Sequence, residues 1–347
     1  MTLAVRYTAA RTLDTAPARS VPPGPGKVEL APAFVGICGT DLHIFHGDMD
    51  ARVSAPAVLG HEMSGRVVRV GPDVEGWQTG DAVTVMPLRW DDTCPACRKG
   101  HQHICQHLDF IGIDSPGAMQ QRWIVPASTL IRLPDSLPLD RAALVEPTAV
   151  AVHDVGRAGV AEGEKVVVVG GGPVGILIAL VARASGAEVR VVELSAHRRL
   201  LAGELGLTAW NPAEVDVPEL VRQWSGDAGA DVAFEVSGAA GGVDTAVDVL
   251  GVRGRLCLVA IHPRPREVNL HRFFWRELTL VGARLYDHSD FERAVALVAD
   301  GTIPAERLIS KVVPLTQAPA AFEALEGGGD VMKILVDCTD DSQGATQ

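Results

Sequence analysis

Three observations predict a two-part α/β chain, an N-terminal antiparallel barrel or sandwich followed by a doubly wound parallel sheet. The chain has 347 residues, more than the roughly 150 expected of one domain. Residues 1 to 145 fall into short β-like runs broken by Gly and Pro, at Lys27 to Val35, Gly65 to Val70, Ala82 to Met86 and Arg122 to Val125. That spacing argues for antiparallel strands rather than repeated strand–helix units. From 163 to about 283 strand-like and helix-like segments alternate, as in a parallel sheet.

The second part opens with Lys165-Val166-Val167-Val168-Val169, whose four valines read as a strand buried on both faces. Gly170, Gly172 and Gly175 follow as G-x-G-x-x-G, with Pro173 and Val174 between the last two. Such glycines permit a tight turn, close approach of a pyrophosphate, and close packing of the next helix. Ile176 to Ser185 reads as an apolar, Ala-rich helix whose first amides would face phosphate. Glu188 to Val192 reads as the next strand and leads into Glu193, 18 residues after Gly175, where a carboxylate accepts hydrogen bonds from an adenosine ribose. Strand, turn, helix, strand and acid in this order predict a dinucleotide site. Further strands are expected at Asp231 to Glu235, Arg255 to Ala260 and Leu278 to Val281. Beyond them come helices at Asp290 to Asp300 and Pro319 to Leu325, a strand at Met332 to Val336, and a polar, frayed tail from Thr339.

The net charge of −12 and the lack of a basic cluster argue against nucleic acid or an anionic membrane as partner. No secretory signal is read at Met1. The uncharged stretch Val166 to Ala182 is explained by the glycine turn rather than by a membrane span. Six cysteines, three of them between 94 and 105, suit metal binding in a reducing cytoplasm better than a disulfide framework.

Two segments of the first part carry metal-binding chemistry. Cys38-Gly39-Thr40-Asp41-Leu42-His43 offers a thiol, a hydroxyl and an imidazole; Gly60-His61-Glu62 adds an imidazole beside a carboxylate. Zinc accepts sulfur, nitrogen and oxygen ligands, and a catalytic site leaves one position for water or substrate.

Together these motifs, with Gly80-Asp81, the cysteine lobe and Glu146-Pro147, resemble the zinc-dependent medium-chain alcohol and polyol dehydrogenases over essentially the whole chain. The resemblance implies a GroES-like β-barrel catalytic domain over 1–147, a Rossmann domain over 148–284 and a C-terminal return over 285–347. It also implies a homodimer or homotetramer. Cys38 and His61 then correspond to zinc ligands, with Glu62 a third ligand or a neighbour that exchanges with substrate. Glu146 stands where many alcohol dehydrogenases have a cysteine, as in the sorbitol, threonine and butanediol dehydrogenase branch, and either binds zinc, holds its water, or is simply an acid at a helix start. Asp41 either hydrogen-bonds the His61 imidazole or caps a helix. In the lobe, Cys94, Cys97 and Cys105 fit three places of the family's structural zinc pattern, and Asp91 replaces the first cysteine. The alternatives are a site completed by Asp92 or a nearby histidine (His101, His103 or His107), and a lobe without metal.

The resemblance implies reversible oxidation of a secondary alcohol to a ketone, with zinc as Lewis acid and nicotinamide as hydride acceptor. Thr40 would accept the alcohol proton and His43 would pass it on; otherwise Thr40 caps a helix and His43 is a surface residue. Glu193 favours NAD over NADP, although Arg198 and Arg199 lie a turn later. Ser237, Gly238, Ile261 and Arg284 are placed near the cofactor. The substrate class expected is a polyol, a vicinal diol such as 2,3-butanediol, or an L-threonine-like molecule. The alternatives are biosynthetic oxidation of a cyclitol or sugar intermediate and, more remotely, a non-catalytic nucleotide-binding protein. An arginine near the zinc would favour sugar acids or polyols, with Arg284 as candidate.

Overall fold

The computed structural model describes residues 2–262, 264–326 and 330–339. The chain divides into two compact units, Met1–Glu146 with Asp287–Gln347, and Pro147–Tyr286.

In the first unit the strand Lys27–Gly36 is the hub. It pairs antiparallel with Glu62–Val70, Trp123–Pro126 and Lys333–Asp337. The sheet continues from Glu62–Val70 to Ala82–Val85 and Leu130–Arg132, and from Lys333–Asp337 to a parallel partner, Ile309–Pro314. Val28, Leu30 and Val35 are fully buried, so neither face of this strand is solvated. The register sets Gly36 opposite Glu62 on one side and opposite Leu335 on the other.

Several elements lie outside the sequence-based expectation, the short strands Leu130–Arg132 and Thr208–Trp210 among them. The hairpin Thr2–Ala9 and Thr12–Ala18, which pairs with Ala57–Val58, turns through Arg11 at φ +59°. Hairpin turns of this kind are normally signalled by Gly, Asn or Asp, so the turn left no trace. The strand Ile309–Pro314 is half exposed and lacks a clean alternation. The tail beyond Thr339 lies outside the described residues.

The second unit is a six-stranded, all-parallel sheet. Its order is Thr208–Trp210, Glu188–Val192, Lys165–Val169, Ala230–Glu235, Leu250–Leu258 and Thr279–Gly282. The direction of winding reverses between Lys165–Val169 and Ala230–Glu235, and ligands of such sheets bind outside the strand ends at that point. Val166, Val167 and Val168 are buried on both faces, which accounts for the unbroken valine run. The next helix runs Pro173–Ala184, starting three residues before the predicted Ile176, because Gly172 serves as N-cap and Pro173 suits the first turn. No helix among the described residues is long and apolar enough to cross a membrane.

Candidate active site

The sheet register explains why residues distant in sequence meet. Cys38 lies two residues past Gly36, and His61 one before Glu62, so the facing strand ends bring both together. Ligand atoms of Cys38, His61 and Glu62 all lie within 4.8 Å of one another, with His61 and Glu62 buried. Cys38 is extended and starts the helix Gly39–His46; the Asp41 carboxylate accepts its amide hydrogen at 2.9 Å, fixing the turn. Glu146 sits buried in the first turn of Val145–Ala158, near enough to act electrostatically on His61.

Lys333 had no place in the sequence-based site. It is 4% exposed, and its ammonium donates to both Glu62 oxygens at 2.9 and 2.6 Å and to the Ile37 carbonyl at 3.2 Å. Burial opposes the charge, but Glu62, Cys38 and Glu146 hold the ammonium above its usual pKa. The available signal was a single lysine inside the apolar run Met332-Lys333-Ile334-Leu335-Val336. A β-carbon on Gly36 would overlap the Glu62 carboxylate, so a larger residue here would push that side chain aside.

Asp41 departs from expectation. Its carboxylate lies 3.7 Å from His61 Nδ1, beyond hydrogen-bonding distance, and it serves as the third helical residue that receives the Cys38 amide rather than as the N-cap itself. Asp41 Oδ1 and His61 Nδ1 therefore lack a hydrogen-bond partner. Burial works against the imidazolium, yet Asp41, Cys38 and Glu146 outweigh it and push His61 well above its ordinary pKa. Burial raises Asp41. The Cys38 thiol, the His61 imidazole and the Glu62 carboxylate thus converge on one point, and this set of sulfur, nitrogen and oxygen donors suits zinc. Thr40 is half-buried on the helix Gly39–His46 and is not its N-cap, which is Cys38. His43, one turn on, is exposed and hydrogen-bonds Asp48 at 3.1 Å.

In the lobe, ligand atoms of Asp91, Cys94, Cys97 and Cys105 also lie within 4.8 Å of one another. Amides of Cys97 and Gln106 point at Cys94 Sγ (3.4 and 3.5 Å) and lower its thiol to about 7. His107 contacts Asp91 Oδ2 at 2.5 Å, and the amides of Thr93 and Cys94 both reach Asp91 Oδ1 at 2.9 Å, holding that carboxylate well below the usual range. His107 thus orients Asp91, and Asp92 is not in the group. The lobe therefore offers three thiols and one carboxylate.

In the second unit Gly170 adopts φ +109°, and a β-carbon there would come within 2.8 Å of the Ser237 amide. A β-carbon on Gly175 would overlap the Gly170 carbonyl. Glu193 accepts the amides of Gly171 and Ser195, each at 2.7 Å, and Arg198 approaches it at 3.8 Å. Each carboxylate oxygen keeps a lone pair for a further donor. Arg199 is spent on the carbonyls of Glu193 and Leu194. Ile261 is 76% exposed, and Arg284 is exposed beyond the edge strand Thr279–Gly282.

Comparison with known proteins decides the lineage. The alcohol dehydrogenase GroES-like domain profile matches residues 24–135, and the zinc-binding dehydrogenase profile matches residues 173–300. The chain belongs to the zinc-dependent medium-chain dehydrogenases. It is 46% identical to the 2-dehydro-3-deoxy-L-galactonate 5-dehydrogenase of Pseudoalteromonas atlantica, over 96% of this chain and 98% of that protein. It is 34% identical to the (R,R)-butanediol dehydrogenase of Neisseria gonorrhoeae, covering 90% and 92% of the two chains. The crystal structure of 2R,3R-butanediol dehydrogenase from Bacillus subtilis superposes with a TM-score of 0.90 at 30% identity, covering 97% and 99%. As a medium-chain dehydrogenase the protein is an enzyme that moves hydride between a secondary alcohol and a nicotinamide cofactor, and it acts on a small molecule. The reading as a non-catalytic nucleotide-binding protein falls.

Proposed function

We propose that this dehydrogenase oxidises a secondary hydroxyl of a sugar acid to the ketone, with NAD as acceptor, at a zinc held by Cys38, His61, Glu62 and Glu146. The observation that carries the site is the convergence of Cys38, His61 and Glu62 at facing strand ends, with Glu146 charged against them. When bound, zinc supplies Lewis-acid activation of the hydroxyl and the cofactor a hydride acceptor. Cys38 and His61 would hold the zinc throughout, whereas the Glu62 carboxylate, which also accepts from Lys333, would be shared between that cation and the metal. Thr40 takes the substrate proton, and His43, on the same helix, passes it on. Asp41 steers the imidazole electrostatically. Asp91, Cys94, Cys97 and Cys105 hold a second, structural zinc.

The sugar-acid reading rests on the 46% identity to a 2-dehydro-3-deoxy-L-galactonate 5-dehydrogenase over nearly both full lengths. The butanediol dehydrogenases favour a vicinal diol as second reading, at lower identity. NAD is preferred because two amides pin the Glu193 carboxylate at the end of its strand, where it would repel a 2′-phosphate. Ser237, Ile261 and Arg284 border the cofactor. We assign the enzyme to the cytoplasm, since its thiols are unpaired and suited to metal. A homodimer is the assembly we favour over a tetramer. Leu280 is half-exposed on the edge strand Thr279–Gly282, and the adjacent helix Leu270–Arg276 exposes Leu270, Phe274 and Trp275. Among the described residues no strand pairs with this outer edge, and an edge beside an apolar face can meet its own copy about a twofold axis. Sedimentation should find a dimer that Phe274→Glu dissociates; a wild-type monomer refutes the assembly.

The test of the reaction is NADH formation on 3-deoxy-2-keto and simple aldonic acids, 2,3-butanediol stereoisomers, sorbitol and L-threonine, with and without a strong chelator. Chelator-sensitive turnover preferring an acid supports the reading. Preference for the diol replaces the substrate class, and chelator-insensitive turnover refutes the zinc site.

A further inference from the structure

Glu235 ends the strand Ala230–Glu235 on the far side of the winding reversal from the glycine turn, and it is fully buried. One carboxylate oxygen accepts the amides of Ser237 (3.0 Å) and Gly238 (3.1 Å) and the Ser237 hydroxyl (2.5 Å). The other meets His262 Nε2 at 2.8 Å. The Glu235 carbonyl accepts the amides of Val259 and Ala260 at 3.0 and 3.1 Å. One residue therefore binds the loops that follow two neighbouring strands, 236–241 and 259–262. A β-carbon on Gly242 would overlap both Ser237 Oγ and the Glu235 carboxylate, so the space is filled.

A carboxylate only accepts, so His262 carries its proton on Nε2, and its Nδ1 is left to accept Arg266 Nε at 3.3 Å. His262 is 10% exposed at its side chain, while its neighbour Ile261 projects into solvent at 76%. Ser237 packs against Gly170 of the phosphate turn, as the 2.8 Å approach of a β-carbon there indicates. At a winding reversal the two halves of a dinucleotide lie over the two halves of the sheet. The glycine turn and Glu193 occupy one half, which leaves the loops tied by Glu235 to the nicotinamide half.

We propose that Glu235 and His262 are positioning residues for the nicotinamide half of the cofactor, acting through the loop that presents Ile261. This rests on the reading that a nicotinamide dinucleotide binds here. Removing the His262 donor leaves one Glu235 oxygen buried without a partner, and such a group relaxes by moving the loop toward water. The adenosine half, held by the glycine turn and Glu193, is untouched.

The experiment compares NADH and ADP-ribose binding by calorimetry in the zinc-replete wild type, His262→Phe and His262→Gln, whose side-chain amide can restore the donor. Expected is roughly tenfold weaker NADH binding in His262→Phe, near-normal ADP-ribose binding, and recovery of at least half the loss in His262→Gln. Equal losses for both ligands, or no loss for either, overturn the proposal. So does failure of His262→Gln to differ from His262→Phe. Wild-type protein that binds neither ligand refutes the cofactor reading itself, a separate result.

Discussion

Replacing Lys333 by Met tests the charge balance of the site directly. Lys333 and Glu62 are 4% and 2% exposed and joined by two hydrogen bonds, so water cannot take over for either. Removing one partner of a buried pair leaves an uncompensated charge and costs about 3–5 kcal/mol. At about 2–4 °C per kcal/mol for a unit of this size, melting of the metal-free protein should fall by roughly 6–20 °C. With zinc bound the loss should shrink, because the freed Glu62 can neutralise itself against the metal. Scanning calorimetry of Lys333→Met with chelator and with zinc measures both arms. Glu62→Gln with Lys333→Met should recover part of the stability, with a coupling energy of about 2 kcal/mol. A metal-free Lys333→Met protein melting within about a degree of wild type would refute the pair's role, and an equal loss with zinc would refute the sharing of Glu62.

Gly36→Ala should force the Glu62 carboxylate aside, cost about 1–3 kcal/mol, and speed zinc release to a chelator; unchanged release kinetics would contradict the crowding at this position. Glu193→Ser should lower the preference for NAD over NADP by about tenfold or more, equivalent to at least 1.4 kcal/mol, read as the ratio of the two kcat/KM values. An unchanged ratio would mean that Glu193 does not select the cofactor. The Tyr7 hydroxyl is pushed up to about 12 by burial and its 2.5 Å hydrogen bond to Asp50. Because the folded value exceeds the unfolded one, its stabilising effect is whole below about pH 10 and lost as pH rises toward 12. Tyr7→Phe should therefore cost about 1 kcal/mol at neutral pH, and the difference should vanish by pH 12; a constant difference across that range would count against the assignment.

The parts of the site that sequence made legible are local. The glycine turn, the valine strand and the acid after the second strand lie within thirty residues and follow from backbone geometry alone. Lys333 is different: its partner is 271 residues away, and nothing near either residue announces the other. The His107 contact to Asp91 and the pinning of Glu193 by two amides also depend on folded loops. Asp41 shows the finer limit, since its choice between the Cys38 amide and His61 turns on less than an ångström of packing. The hairpin at Thr2–Ala18 escaped because its turn is made by an arginine.

The strand that delivers Lys333 is the last one described in the chain, and it pairs between Lys27–Gly36 and Ile309–Pro314. During synthesis Glu62 leaves the ribosome 271 residues before its ammonium, an interval of roughly 15–50 s at ordinary elongation rates. For that time Glu62 lacks the ammonium that binds it in the folded enzyme, while His61 adjoins it in sequence and Cys38 precedes it by 24 residues. The Lys333–Glu62 pair, which crowds the Gly36 strand end, can therefore form only after residue 333 has been made.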